Sequence, residues 1–308
     1  MLTLAVSSRS LFHIEDGNRI FETEGQDAFD AYMREKENVP LRPGCAFHLV
    51  RKLLSLNQHP GKEGTRLVNV VMLSRNSPDA SMRVSNSIAH YGLDIEGACF
   101  SQGSNRFAYA RAMGADLFLS ANAADVRAAL SAGIAAATMV PREDLEVVEP
   151  DNEVRIAFDG DSVLFSDEAD VTYRAHGLEA FRKSELENAH IPLGDGPFKG
   201  FLEALHSIQK EFPKGQCPLR VALVTARGLP SHGRVLHTLR HWGINVDEAI
   251  FAGGRPKGPL LQAFRADMFF DDTQKNIDSA VSHNVPSGHV PYGTGEGIVA
   301  ASPPLKVA

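Results

Sequence analysis

The chain has 308 residues, 43% hydrophobic and 22% charged, with a formal net charge of −7, the make-up of a globular protein with room for two domains. The acidic balance argues against a nucleic-acid-binding face, which needs a clustered positive surplus, but leaves small anionic substrates open because one pocket can be locally positive. Cys45, Cys99 and Cys217 are scattered and odd in number, which excludes a disulfide framework or metal-ligand spacing and fits buried thiols in a reducing cytoplasm.

The opening "MLTLAVSSRSLFHIEDGN" has neither a basic leader nor a long apolar core, so no signal peptide is expected. Strands are expected at 2–6, 68–73, 97–100 and 116–119, alternating with helical patterns. The apolar stretch "VRAALSAGIAAATMV" that follows is too short to cross a bilayer and carries Arg127. A cytoplasmic protein with no membrane partner is expected. After the acidic junction "VPREDLEVVEPDNE" (140–153) the alternation resumes, with strands at 154–158, 219–224, 248–251 and 267–270. Strands alternating with helices imply βαβ units and a parallel sheet.

The resumption is a repeat. "VNVVMLSRNSPDASMRVSNSIAHYGLDIEGACFSQG" (68–103) aligns without gaps on "LRVALVTARGLPSHGRVLHTLRHWGINVDEAIFAGG" (219–254), and "LAVSSRSLF" meets "IAFDGDSVLF". A period near 150 residues is that of a whole domain, not a solenoid unit. The expectation is a duplicated α/β domain, residues 1–148 and 149–308. Each copy carries a long insertion after its first strand, at about 166–216 in the second, placed to act as a helical cap.

In open parallel sheets, ligands bind beyond the carboxyl ends of the strands. In the second copy those ends carry, in order, Asp159-Gly160-Asp161, Thr225, Lys257 and Asp271-Asp272. Taken singly, Asp159 and Asp161 read as turn residues, Thr225 as a helix cap, Lys257 as a solvated surface group and Asp271-Asp272 as a helix N-terminus. Four such coincidences at successive strand ends are improbable. The first copy sharpens the point: it keeps the strands and glycines but has Ser7, Ser8 and Arg9 for Asp-Gly-Asp, Ser74 for Thr225, Arg106 for Lys257, and Ser120 and Ala121 for the acid pair. The acids are therefore dispensable for folding and mark chemistry.

Asp, Thr, Lys and Asp-Asp in this order resemble the signature of the haloacid dehalogenase superfamily of phosphatases. Receiver domains place their acid pair first, and dehalogenases lack the second aspartate because an alkyl halide leaves without a proton. "VRIAFDGDSVLFSDE", "GPFKGFLEAL", "LVTAR", "PKGPLLQ", "FFDD" and "HVPYG" are similar, more narrowly, to the cytosolic 5′-nucleotidase I family over nearly the whole chain. The resemblance implies a duplicated Rossmannoid fold, a parallel sheet flanked by helices. It also implies a Mg²⁺-dependent phosphoric monoester hydrolase acting on nucleoside 5′-monophosphates, AMP prominently. On that resemblance Asp159 is the nucleophile and Asp161 the general acid and base, while Thr225, Ala226 and Lys257 bind the phosphoryl group. Mg²⁺ is held by Asp159, the Asp161 carbonyl, Asp271 and Asp272.

Tyr173, His176, Phe181 and Phe198 in the insertion are candidates for stacking, with amphipathic packing the stronger expectation for each. Three other readings stay open: a nucleoside phosphotransferase, another small-molecule phosphatase of the same superfamily, and a nucleotide-sensing protein without turnover. Ser7, Arg9, Ser74 and Arg106 form a candidate non-catalytic anion site. Against that stand salt bridges between the copies, or a surface completing the second copy's pocket. Base preference and oligomeric state, including a homo-oligomer, are not legible.

Overall fold

The structure, a computed structural model, describes residues 1–59, 64, 66–141 and 153–293; the expected junction lies, apart from its ends, outside the described residues. The strands are β1 (Leu2–Val6), β2 (Phe12–His13), β3 (Arg42–Pro43), β4 (Val68–Ser74), β5 (Gly97–Phe100) and β6 (Leu117–Ser120), then β7 (Ala135–Met139), β8 (Val154–Phe158), β9 (Leu219–Thr225), β10 (Glu248–Phe251), β11 (Met268–Asp271) and β12 (Ser287–His289). β2 and β3 form a small antiparallel pair, and the others one ten-stranded sheet in the order β10-β9-β8-β11-β12-β7-β6-β1-β4-β5. The mixed α/β architecture with a mostly parallel sheet flanked by helices is the one expected.

Each half of the sheet has the same internal order: first strand in the middle, second and third to one side, fourth and fifth to the other. The central strands "LTLAV" and "VNVVMLS", and their counterparts "VRIAF" and "LRVALVT", are almost wholly buried. Apolar runs of this kind suit parallel strands covered on both faces. Among the described residues, one pairing in the large sheet is antiparallel: β12 against β7, with Gly288 opposite Met139 and His289 opposite Thr138. A Cβ at Gly288 would come within 2.9 Å of Ala137 and 3.0 Å of Phe270, so the halves meet where a side chain does not fit. This pairing reverses one half relative to the other. The carboxyl ends of the first half's strands therefore open on the opposite edge of the sheet from those of the second.

One face of the sheet carries a core shared by both halves, running from Leu4, Phe47 and Leu53 to Phe158, Phe201 and Phe270. The Phe47–Ser55 helix packs on β4 and on β8 of the other half, and the Lys199–Gln209 helix packs on β9 and on β1. Lys52 reinforces the crossing with a 2.7 Å ion pair to Asp267. The other face has two separate cores, one around Leu73, Phe107 and Phe118, the other around Val224, Phe264 and Phe269. Beyond the first strand, each half has a bent helical excursion: Glu15–Glu24 and Gln26–Glu35 around Gly25 (φ 90°), and Glu168–Glu187 kinked at Gly177 (φ 78°). Glycine takes such left-handed angles without the Cβ penalty.

Candidate active site

Asp159 is the first residue past β8, its N–H still donating to Phe270 O at 2.8 Å. The chain then turns sharply. Ser162 adopts a left-handed φ of 62°, strained for a residue with a side chain, and its hydroxyl donates to Asp170 at 3.0 Å. Phe165 N–H closes the loop onto Gly160 O at 2.9 Å. Gly196 lets the following chain pass over the turn, since a Cβ there would sit 2.5 Å from the carbonyl oxygens of Val163 and Phe165.

Lys257 precedes the Gly258–Phe264 helix. A Cβ at Gly258 would lie 2.4 Å from Ser279 O, so this glycine permits the close helix contact that brings Lys257 inward. The lysine is 1% exposed, and its Nζ lies 2.7 Å from both Asp159 Oδ1 and Asp271 Oδ2. Asp159 Oδ1 also accepts from Gly160 N–H at 2.6 Å; neither contact involves Oδ2. Asp271, at the end of β11 and fully buried, accepts from Thr273 N–H at 2.8 Å and from Asn276 Nδ2 at 3.1 Å.

Asp159, Asp271 and Asp272 each bring a carboxylate oxygen within 4.8 Å of the others. Lys257 is the one ammonium among three acids, and two carboxylates ~4 Å apart repel by roughly 4 kcal/mol at an effective dielectric near 20. The consequence is visible in their proton affinities. Burial drives the Asp159 carboxyl well above its ordinary range; Lys257 opposes this, and Asp271 and Asp272 add to it. Burial, then Asp271 and Asp170, pushes Asp272 up to about 8. Burial alone would lower Lys257, but Asp159 and Asp271 outweigh it and hold the ammonium charged. Unmatched charge on hard oxygen donors is the setting that suits a small divalent cation, and the three carboxylates could hold one.

Thr225 ends β9, buried, its hydroxyl oxygen accepting from Arg227 N–H at 3.2 Å. Ala226 is exposed beside it, and its carbonyl accepts from Gly254 N–H at 3.0 Å. Asp161 is held apart from the acid triad by Arg227, whose Nε and Nη2 donate to its two oxygens at 2.8 and 2.7 Å. Arg227 also pairs with Glu185 of the Glu168–Glu187 helix. Glu185, 2% exposed, is shared with Arg234 at 2.9 Å, and Arg234 reaches Glu168 as well. This buried network ties Asp161 to the helical excursion. Sequence reasoning missed Arg227, Glu185 and Arg234, although Arg227 stands in the quoted "LVTAR".

The four stacking candidates separate. Phe198 is wholly buried among Phe158, Phe201 and Phe270 and belongs to the core. Tyr173 and His176 are exposed on the Glu168–Glu187 helix, where Tyr173 meets Phe181 edge-on at 6.4 Å. The Arg227 guanidinium lies 5.3 Å from the Phe181 ring. In the first half, Arg9 pairs with Glu15 and Arg106 with Asp125, so neither bridges the halves. Their strand ends open on the edge opposite Asp159 and do not complete its pocket.

A Rossmann-like half-sheet with Asp-x-Asp, Thr, Lys and Asp-Asp at successive strand ends is that of a haloacid dehalogenase-type α/β protein. The 5′-nucleotidase family model matches residues 1–297, and the chain belongs to that family. It is 40% identical over 289 residues to human (Homo sapiens) cytosolic 5′-nucleotidase 1B, an alignment covering 91% of this chain and 47% of that protein. The chain thus spans about half the length of the curated relative it matches. No solved structure matches it. None of the described helices is long and apolar enough to cross a membrane.

Proposed function

We propose that the chain is a Mg²⁺-dependent 5′-nucleotidase that hydrolyses nucleoside 5′-monophosphates, AMP-like substrates first, through an aspartyl-phosphate. The observation that carries the reading is the buried Asp159–Lys257–Asp271 arrangement at the strand ends. The printed name of the relative, cytosolic 5′-nucleotidase 1B, supports the substrate class and a cytosolic location.

An oxygen of Asp159 attacks phosphorus, and the bond from phosphorus to the ribose 5′-oxygen breaks. Asp161, entering as the carboxylic acid, gives its proton to the departing oxygen. Water then attacks the phosphorus of the aspartyl-phosphate, Asp161 takes its proton, and phosphate leaves with Asp159 regenerated. Lys257 balances charge on the attacking carboxylate, and the Thr225 hydroxyl and the Ala226 backbone N–H would donate to phosphoryl oxygens. A bound Mg²⁺ would supply further charge neutralisation and orientation of the phosphoryl group. Arg227 engages both oxygens of Asp161, so proton transfer requires that one be released.

The test is phosphate release from a panel of nucleoside monophosphates and non-nucleotide phosphate esters, with Mg²⁺ and with chelator. Turnover of the nucleotides with Mg²⁺, far above that of the other esters, is expected. Equal turnover across the panel would replace the reading by a broad phosphatase. Binding with no turnover would replace it by a nucleotide sensor.

A further inference from the structure

The first half lacks the acids, yet its strand ends are not filled in. They enclose a cavity of about 500 Å³ on the sheet edge opposite Asp159. Its lining is partly polar: Ser8, whose hydroxyl lies 2.9 Å from that of the fully buried Ser74, and Ser120, whose hydroxyl accepts from Asn122 N–H. Arg106, at the position of Lys257, lines the cavity and is 3% exposed. One end of its guanidinium pairs with Asp125, but its buried Nε has no hydrogen-bond partner among the described residues. The buried Asn76 Nδ2, also at the cavity, has none either. Buried donors are almost always matched. Arg106 and Asn76 both line the cavity, and each holds a buried donor that a ligand bringing acceptors would match.

The charges point the same way. Asp125 is shared between Arg106 and Arg75, the latter at 2.9 Å, so two guanidinium groups face one carboxylate. Arg9 is neutralised by Glu15 at 2.8 Å. Glu22 is exposed at the rim and bonded to Asn18. Arg9, Arg75 and Arg106 line the cavity together with Asp125 and Glu22, and guanidinium geometry suits phosphoryl oxygens. The other wall is apolar: Ile14, Phe29 and Leu73 line it with Phe21, which stays 47% exposed although it is a large aromatic in edge contact with Phe29. A flat apolar group fits against that wall. Positions 7, 120 and 121, where the catalytic half has acids, are Ser, Ser and Ala.

We propose that this cavity is a second, metal-independent binding site for a phosphomonoester bearing a planar apolar group, which it holds without hydrolysing. The phosphate sits against Arg106, Asn76 and Arg75, and the planar group against Phe21 and Phe29. The site stands on the first half's own residues and does not depend on the catalytic reading of Asp159.

The experiment is equilibrium titration of the full chain carrying Asp159→Asn, in chelator, with a nucleoside 5′-monophosphate, the matching nucleoside and inorganic phosphate. It is repeated after adding Arg106→Lys, Asn76→Ala or Phe21→Ala, each checked for an unchanged melting profile. Expected is a chelator-resistant site for the monophosphate, weakened at least about tenfold by Arg106→Lys or Asn76→Ala. Phe21→Ala should weaken the monophosphate and leave inorganic phosphate unchanged. Chelator-resistant binding that ignores all three substitutions, or no such binding, overturns the proposal. Because turnover is measured separately on the unsubstituted protein, an inactive enzyme that still binds at Arg106 would sink the catalytic reading alone.

Discussion

Arg227→Met is the most informative single change in the second half. It deletes two charge-assisted hydrogen bonds to Asp161 and the pair with Glu185. Removing such contacts costs about 1.5–3 kcal/mol each when the partner is left dry. Here the partners are partly rescued: Glu185 keeps Arg234 at 2.9 Å, and the Asp161 side chain is 14% exposed and can bond to water. A net loss of roughly 3 kcal/mol follows, the low end for breaking a buried pair. At ~2 °C per kcal/mol for a chain of this size, that is a fall in Tm of about 6 °C. The kinetic effect is larger and selective. With Asp161 no longer oriented, turnover of a nucleoside monophosphate should drop by roughly a hundredfold. The burst on an aryl phosphate, whose leaving group needs little protonation, should fall by much less. The assay is rapid-quench phosphate release on both substrates, beside a thermal melt. Equal losses in the two bursts would refute the claim that Arg227 positions Asp161, and would reduce it to a strut between β9 and the Glu168–Glu187 helix.

Three further outcomes are expected. Asp161→Asn should lose about 10²–10⁴-fold on nucleotides and much less in the aryl phosphate burst; equal losses would remove Asp161 as the acid. Chelator should silence the enzyme, and Asp271→Asn should raise the Mg²⁺ concentration needed for half-maximal rate; full activity in chelator would discard the metal. The third concerns pH in the metal-free protein. The Asp272 carboxyl rises from 3.8 to about 8 on folding, so between those values the folded state binds more protons than the unfolded one. Its contribution to stability therefore falls as pH rises through that window. Asp272→Asn removes the dependence, and its melting temperature relative to wild type should climb between pH 5 and pH 8 in chelator; a constant difference would contradict the burial argument.

The strand ends were legible because Asp159, Thr225, Lys257 and Asp271 each follow an apolar run whose end is marked by composition. In the large sheet, the first four strands of each half lie within a residue or so of their expected places, whereas the short β2–β3 pair was not expected. The fifth was not foreseen in either: "AAATM" reads as helix by propensity, and "SGH" is too short to carry an alternation. Without β7 and β12, their antiparallel pairing and the fusion into one sheet could not be read. Arg227 escaped for a different reason. An arginine after a strand reads as solvated, and its partners Asp161 and Glu185 lie 66 and 42 positions away, a pairing no local pattern encodes. The first half's serines and arginines were legible as replacements for the acids. Their cavity and unmatched donors depend on how Asp125 and Phe21 fold back over the strand ends.

The central claim is that Asp159 carries the phosphoryl group. Acid-quenched single turnovers with a nucleoside monophosphate and Mg²⁺, followed by mass spectrometry of the peptide spanning residues 154–168, test it most directly. A phosphoryl group on Asp159 that forms before phosphate release and decays with it is predicted, and it should be absent from a folded Asp159→Asn protein that no longer turns over. An Asp159→Asn protein that keeps releasing phosphate from the nucleotide would contradict the account.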